Sequence, residues 1–161
     1  MRAALAAVLV LEFFGAVSRT DAQGFAFTPR VQAEVRADAA VAHRAAALAM
    51  VGANVPIGYY VRAGLAIGGG AVVGNPAQLA TRADAVLRFL LDPFGENRWG
   101  PYAGGGFTVR RDGWARPQAG LLVVLGVDGR RGRRWTPSVE AGLGEGARFA
   151  FVLRSARTNG R

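Results

Sequence analysis

The chain has no cysteine and no lysine, and only one histidine and two methionines in 161 residues. Without cysteine it can hold neither a disulfide framework nor a thiolate metal site. Without lysine it cannot build a Walker-type phosphate loop, which needs an ammonium against the phosphates. All 20 positive residues are therefore arginine, set against 11 acids, for a net charge of +9. Such a balance invites a nucleic-acid reading. In an exported chain, arginine-only basicity is instead expected to reflect compositional bias, with no nucleic-acid partner. Long membrane-spanning runs are missing as well. Residues 45–61 and 63–81 are uncharged, but Asn54, Pro56, Gly68-Gly69-Gly70 and Gly74-Asn75-Pro76 interrupt them at the density of turns.

What the chain does have begins with a leader. Arg2 supplies a positive start, residues 3–17 are apolar apart from Glu12, and Thr20-Asp21-Ala22 presents small residues at the two positions a signal peptidase reads. Residues 1–22 are expected to be a signal peptide cleaved after Ala22. A retained N-terminal anchor is the alternative, because Glu12 weakens the hydrophobic stretch. Residues 23–30 then form a short extension, 31–155 the folded domain and 156–161 a polar tail. That length suits one domain and not two.

From position 31 onward apolar residues alternate with charged or small ones. The rhythm is clearest in Val31-Gln32-Ala33-Glu34-Val35-Arg36-Ala37-Asp38-Ala39. A period of two means strands with unlike faces. Eight strands are predicted, at 31–39, 46–54, 59–68, 79–91, 99–109, 118–127, 135–144 and 147–155. The connections between them are rich in Gly, Pro, Asn and charge. Strands of about ten residues joined by short turns are the pattern of a transmembrane barrel.

Alternation alone does not say which face is buried, since a soluble lipocalin-like barrel with an apolar ligand would show the same rhythm. Three features favour an apolar exterior. The polar register is dense in glycine, as in Gly100, Gly104 and Gly106. Glycine weakens a solvent-facing strand but makes room inside a narrow barrel. That register also carries Glu34, Arg36, Asp38, Arg62, Arg82, Asp84, Arg88, Glu140, Arg148 and Arg154, acids and arginines able to pair across one lumen. The apolar register carries no charge. Finally, Tyr59, Trp99, Tyr102 and Trp135 begin odd strands, Phe89 ends an even one and Phe94 sits beside it, which predicts an aromatic belt at one membrane interface.

The expected fold is an all-β, eight-stranded, antiparallel, up-and-down transmembrane barrel. From about residue 30 to 156 the chain resembles the small outer-membrane barrel families typified by OmpA-like and OmpX-like domains. The last strand, Ala147-Arg148-Phe149-Ala150-Phe151-Val152-Leu153-Arg154, is similar to the amphipathic strand by which those proteins are recognised for assembly, although it lacks their terminal aromatic. The resemblance implies a bacterial outer-membrane location, contact with outer-membrane lipid and with the barrel-assembly machinery, and a structural, envelope-integrity or adhesion role.

The reactive inventory is thin and no cofactor is expected. A lipid-modifying enzyme would need His43, Ser138 and Glu140 to meet, yet two of these point into the predicted lumen and His43 lies on a loop at the far rim. Two basic clusters stand out. Arg110, Arg111 and Arg116 fall in a predicted outer loop suited to lipopolysaccharide phosphates, and Arg130, Arg131, Arg133 and Arg134 fall in a predicted inner turn beside Trp135.

Overall fold

A computed structural model describes residues 31–155, apart from residues 42, 43, 75, 95, 114 and 131. The leader, the extension and the polar tail assigned from the sequence lie outside the described residues, as do His43 and Trp114. Eight strands are present: β1 (Gln32–Val41), β2 (Ala45–Pro56), β3 (Val61–Val72), β4 (Gln78–Leu90), β5 (Gly100–Asp112), β6 (Gln118–Asp128), β7 (Trp135–Leu143) and β8 (Ala147–Ser155). Each pairs antiparallel with its neighbours in sequence, and β1 closes on β8 through Glu34 to Val41 against Arg154 to Ala147. Closure leaves no strand edge unpaired, the condition for a sheet to sit in lipid.

The faces divide as the two-residue rhythm requires. Val35, Leu65, Leu87 and Leu125 are 39–62% exposed on the outside, while Arg36, Arg62 and Asp84 are at most 8% exposed inside. Between the rims the outward register holds aliphatic, aromatic, small and proline residues, with Thr81 as its one polar side chain before Arg111 at the end of β5. The small residues gather on one side: Ala37, Ala39, Ala47, Ala49 and Gly69 line a shallow external groove across β1, β2 and β3. Phe149 and Phe151 of β8, paired with Ala39 and Ala37 of β1, together with Val139, wall the same groove on its other side.

The interior is not wholly ionic. Leu48, Met50, Ala66, Val72 and Ala80 form one buried apolar cluster, and Val86, Leu122 and Val124 form another. β2 and β6, which supply the largest of these side chains, are accordingly apolar on both faces along much of their length. Inward glycines make the space for both clusters. A Cβ at Gly70 would lie 2.7 Å from the Leu48 Cα, and one at Gly104 would lie 3.0 Å from Val124 Cγ2.

Several boundaries differ from the sequence reading. The third strand was expected to stop at Gly68, but β3 runs on through Gly69 and Gly70 to Val72, because glycine there admits the close approach of β2 and so extends the ladder. Tyr60 falls within the third strand predicted from residue 59; it lies instead in the exposed turn before β3, edge-on to Phe94 at 6.4 Å. Arg110 and Arg111 belong to β5 and not to a loop. The connections at the rim opposite the chain termini are short, at 42–44, 73–77, 113–117 and 144–146. Those at the termini rim are 57–60, 91–99 and 129–134.

Candidate functional site

The chemistry-bearing residues fall in three places: the lumen and the two rims. All ten charged residues expected on the polar register lie in the lumen, each 8% exposed or less. Glu140 of β7 is its centre. Its Oε1 accepts from Arg88 Nε at 3.0 Å, Arg154 Nη2 at 2.8 Å and the Tyr102 hydroxyl at 2.9 Å, and its Oε2 accepts from Arg36 Nη2 at 2.8 Å. Arg148 Nη2 lies 3.4 Å away. A carboxylate with so many charge-assisted donors has its lone pairs satisfied, the condition under which a buried charge is tolerated.

Two further layers flank this centre. Toward the termini rim, Asp128 pairs with Arg62 at 3.0 Å, accepts from Ser138 Oγ at 2.7 Å and is bridged by Arg154 Nη1. Glu34 accepts from Asn54 at 2.6 Å and from Arg154 Nε at 3.0 Å, and Asn54 in turn accepts from Arg88 at 2.8 Å. Toward the opposite rim, Asp84 accepts from Arg82 at 2.8 Å, Arg148 at 2.8 Å and Thr108 at 2.7 Å, while Asp38 accepts from Arg36 Nε at 3.2 Å.

Tyr102 does not join the aromatic belt assigned to it. It is 2% exposed inside the lumen, with the Arg154 guanidinium 5.1 Å over its ring. Its place on the inward register of β5 decides this, together with Gly126 opposite, where a Cβ would lie 2.5 Å from the Tyr102 hydroxyl. Tyr59, Phe89, Phe94, Trp99 and Trp135 are exposed at the termini rim, and Tyr59 and Phe94 rings stand 5.9 Å apart. The lumen also holds Asn54, Asp128 and the turn residue Glu145, which the sequence reading did not place there, Arg110, which it assigned to a loop, and Thr108 on the inward register of β5. Asp128 and Arg110 each lie two residues beyond an inward position (Gly126, Thr108), so carrying the register one step further would have found them.

At the mouth opposite the termini, Arg110 is 7% exposed and paired bidentately with Asp112 at 2.7 and 2.9 Å. It is therefore not a free loop cation as assigned, whereas Arg111 and Arg116 are exposed. Arg82, Thr108, Arg110, Glu145 and Arg148 line a cavity of about 10 Å³, room for one water. Arg148 Nε and Glu145 Oε1 are buried without a protein hydrogen-bond partner. Burial holds the Glu145 carboxyl above its ordinary value, against the pull of Arg110 and Arg82.

Of the candidate catalytic set, His43 lies outside the described residues and the other two are lumen groups bonded to charged partners. Ser138 and Glu140 are sealed in the lumen on ionic partners, and Val41 and Arg44, which flank the His43 segment, stand at the rim opposite Ser138. The soluble alternative fares no better, since its apolar ligand would need an apolar interior and this one is crossed by ion pairs.

No family model and no curated protein matches the chain. Among solved structures it is similar to Neisserial surface protein A, at 14% identity over 78% of this chain and 92% of that one, with a TM-score of 0.56. It is also aligned with the N-terminal β-barrel domain of Pseudomonas aeruginosa OprF, at 13% identity over 80% and 97%, with a TM-score of 0.48. The eight-stranded closed barrel is thus a fold shared with a known surface protein, and it is the fold the sequence resemblance implied.

Proposed function

We propose that the chain is an exported protein of the bacterial outer membrane with a structural role in envelope integrity and no catalytic site. The observation that carries this is the inversion of its two faces: a charge-free apolar exterior between the rims and a lumen packed with ion pairs. An arginine facing mid-bilayer would cost about 2–4 kcal/mol, so a clean apolar band around a closed barrel is the mark of a wall built for lipid. The fold shared with Neisserial surface protein A supports the same reading.

Both termini then face the periplasm, and β8 is the strand offered to the assembly machinery. At the outer rim Arg111 and Arg116 remain exposed and suit lipopolysaccharide phosphates, through the planar fork that guanidinium presents to them. The filled interior predicts no appreciable conductance in planar bilayers. The test is fractionation followed by heat modifiability: the protein should partition with outer membranes and migrate differently on gels before and after boiling. Recovery in the soluble periplasmic fraction, with a single gel mobility, overturns the reading.

A further inference from the structure

We propose that the 129–134 turn is a binding site for the phosphate headgroup of an anionic glycerophospholipid, in the leaflet at the termini rim. The proposal rests on the membrane reading above and adds a ligand to it. Arg130, Arg133 and Arg134 are all exposed there, and no carboxylate among the described residues is within ion-pair distance of them. The nearest acid in sequence, Asp128, is turned into the lumen and occupied by Arg62, Ser138 and Arg154. Across the same rim, Asp92 is committed to its own turn, accepting from the backbone N–H of Glu96 at 3.0 Å and of Asn97 at 2.8 Å. The like charges crowded into this short turn repel one another, and an external anion relieves that repulsion.

The position of the turn selects the anion. Trp135 follows it directly on the outward register. Trp99 lies against its start, where a Cβ on Gly129 would be 3.6 Å from the indole. Indoles at a barrel rim sit at headgroup depth, so these guanidiniums stand in the plane of the lipid phosphates. Directly beneath the turn, outward Val127 and Val139 are paired across the ladder and offer a smooth apolar track for an acyl chain. The backbone holds this arrangement still: Gly129 N donates to Pro137 O at 2.7 Å and Gly132 N to Trp135 O at 3.1 Å. An acidic protein partner would find the charges but would have no use for indoles and aliphatic wall below them, so a lipid fits the whole surface better.

The test uses the full barrel carrying Trp114→Phe, so that Trp99 and Trp135 are its only tryptophans, reconstituted in phosphatidylcholine bilayers. Brominated phosphatidylglycerol and brominated phosphatidylcholine are compared as quenchers at equal mole fraction. Stronger quenching by phosphatidylglycerol is expected, with the preference falling about fivefold or more in Arg130→Gln/Arg133→Gln/Arg134→Gln. It should be unchanged in Arg111→Gln/Arg116→Gln at the other rim. Equal quenching by both lipids in the parent protein overturns the site while leaving the membrane reading intact. Absence of quenching by either lipid overturns the membrane reading itself. Loss of the preference on adding millimolar inorganic phosphate would show a phosphate site without lipid selectivity, and would also overturn the proposal. Heat modifiability confirms that each variant is folded.

Discussion

Arg36 of β1 and Glu140 of β7 meet inside the barrel, Nη2 to Oε2 at 2.8 Å, both with fully buried side chains. They join strands that share no ladder, so the ion pairs brace the cylinder across its bore as hydrogen bonds brace it around its wall. Glu140 is the group on which most of that bracing converges. Glu140→Ala should leave Arg36, Arg88 and Arg154 each short of a partner and cost about 3–5 kcal/mol, the range for breaking a buried pair. Urea titration of the refolded barrel, read by its gel mobility, measures the loss.

Gly126→Ala should be destabilising by about 1–3 kcal/mol through overpacking, because the new methyl collides with the Tyr102 ring. Tyr102→Ala has its own cost, so the test is the coupling: in a Tyr102→Ala background the Gly126→Ala change should cost less than in the parent, because the methyl then meets no ring. An equal cost in both backgrounds means that the collision is not the cause.

Val123→Arg, midway along the outward face of β6, should cost about 2–4 kcal/mol, the range near the bilayer midplane. Arg111→Leu at the rim, by contrast, should leave stability within about 0.5 kcal/mol, as surface substitutions usually do. Refolding equilibria in lipid vesicles compare the two.

Glu145 sets a pH dependence at the mouth opposite the termini. Its carboxyl titrates above the ordinary value of 4.5 in the folded barrel, chiefly through burial. The folded state therefore holds this proton more tightly than the unfolded chain. The contribution is complete below 4.5 and is lost as pH rises from there through the folded value. Glu145→Gln should remove that slope from the pH profile of the unfolding midpoint. An identical profile in the variant would assign the slope to another group.

Much of this was legible in the sequence because a closed barrel turns a two-residue rhythm directly into inside and outside. Glu34, Arg36 and Asp38 alternate with Val35 and Ala37, and nothing in the fold overrides that alternation. Where the rhythm failed, glycine or a turn was involved. Gly69 and Gly70 read as a break and are strand, since their lack of a side chain serves the approach of β2. Tyr102 carried two signals at once, a strand-start aromatic and an inward register, and the register won because Gly126 leaves a hollow for the ring. The partners within the lumen were not legible at all. Which arginine meets which acid depends on how far each strand is staggered around the cylinder, and no single strand encodes that.

The short turns at 42–44, 73–77, 113–117 and 144–146 have a consequence for how the protein meets its surroundings. In the orientation proposed above, with the termini on the inner side, the hairpins the barrel turns outward are these four small tips. A protease has little there to cut and an antibody little to grasp. Its longer connections and its richest stock of aromatics and arginine face back toward the cell that made it.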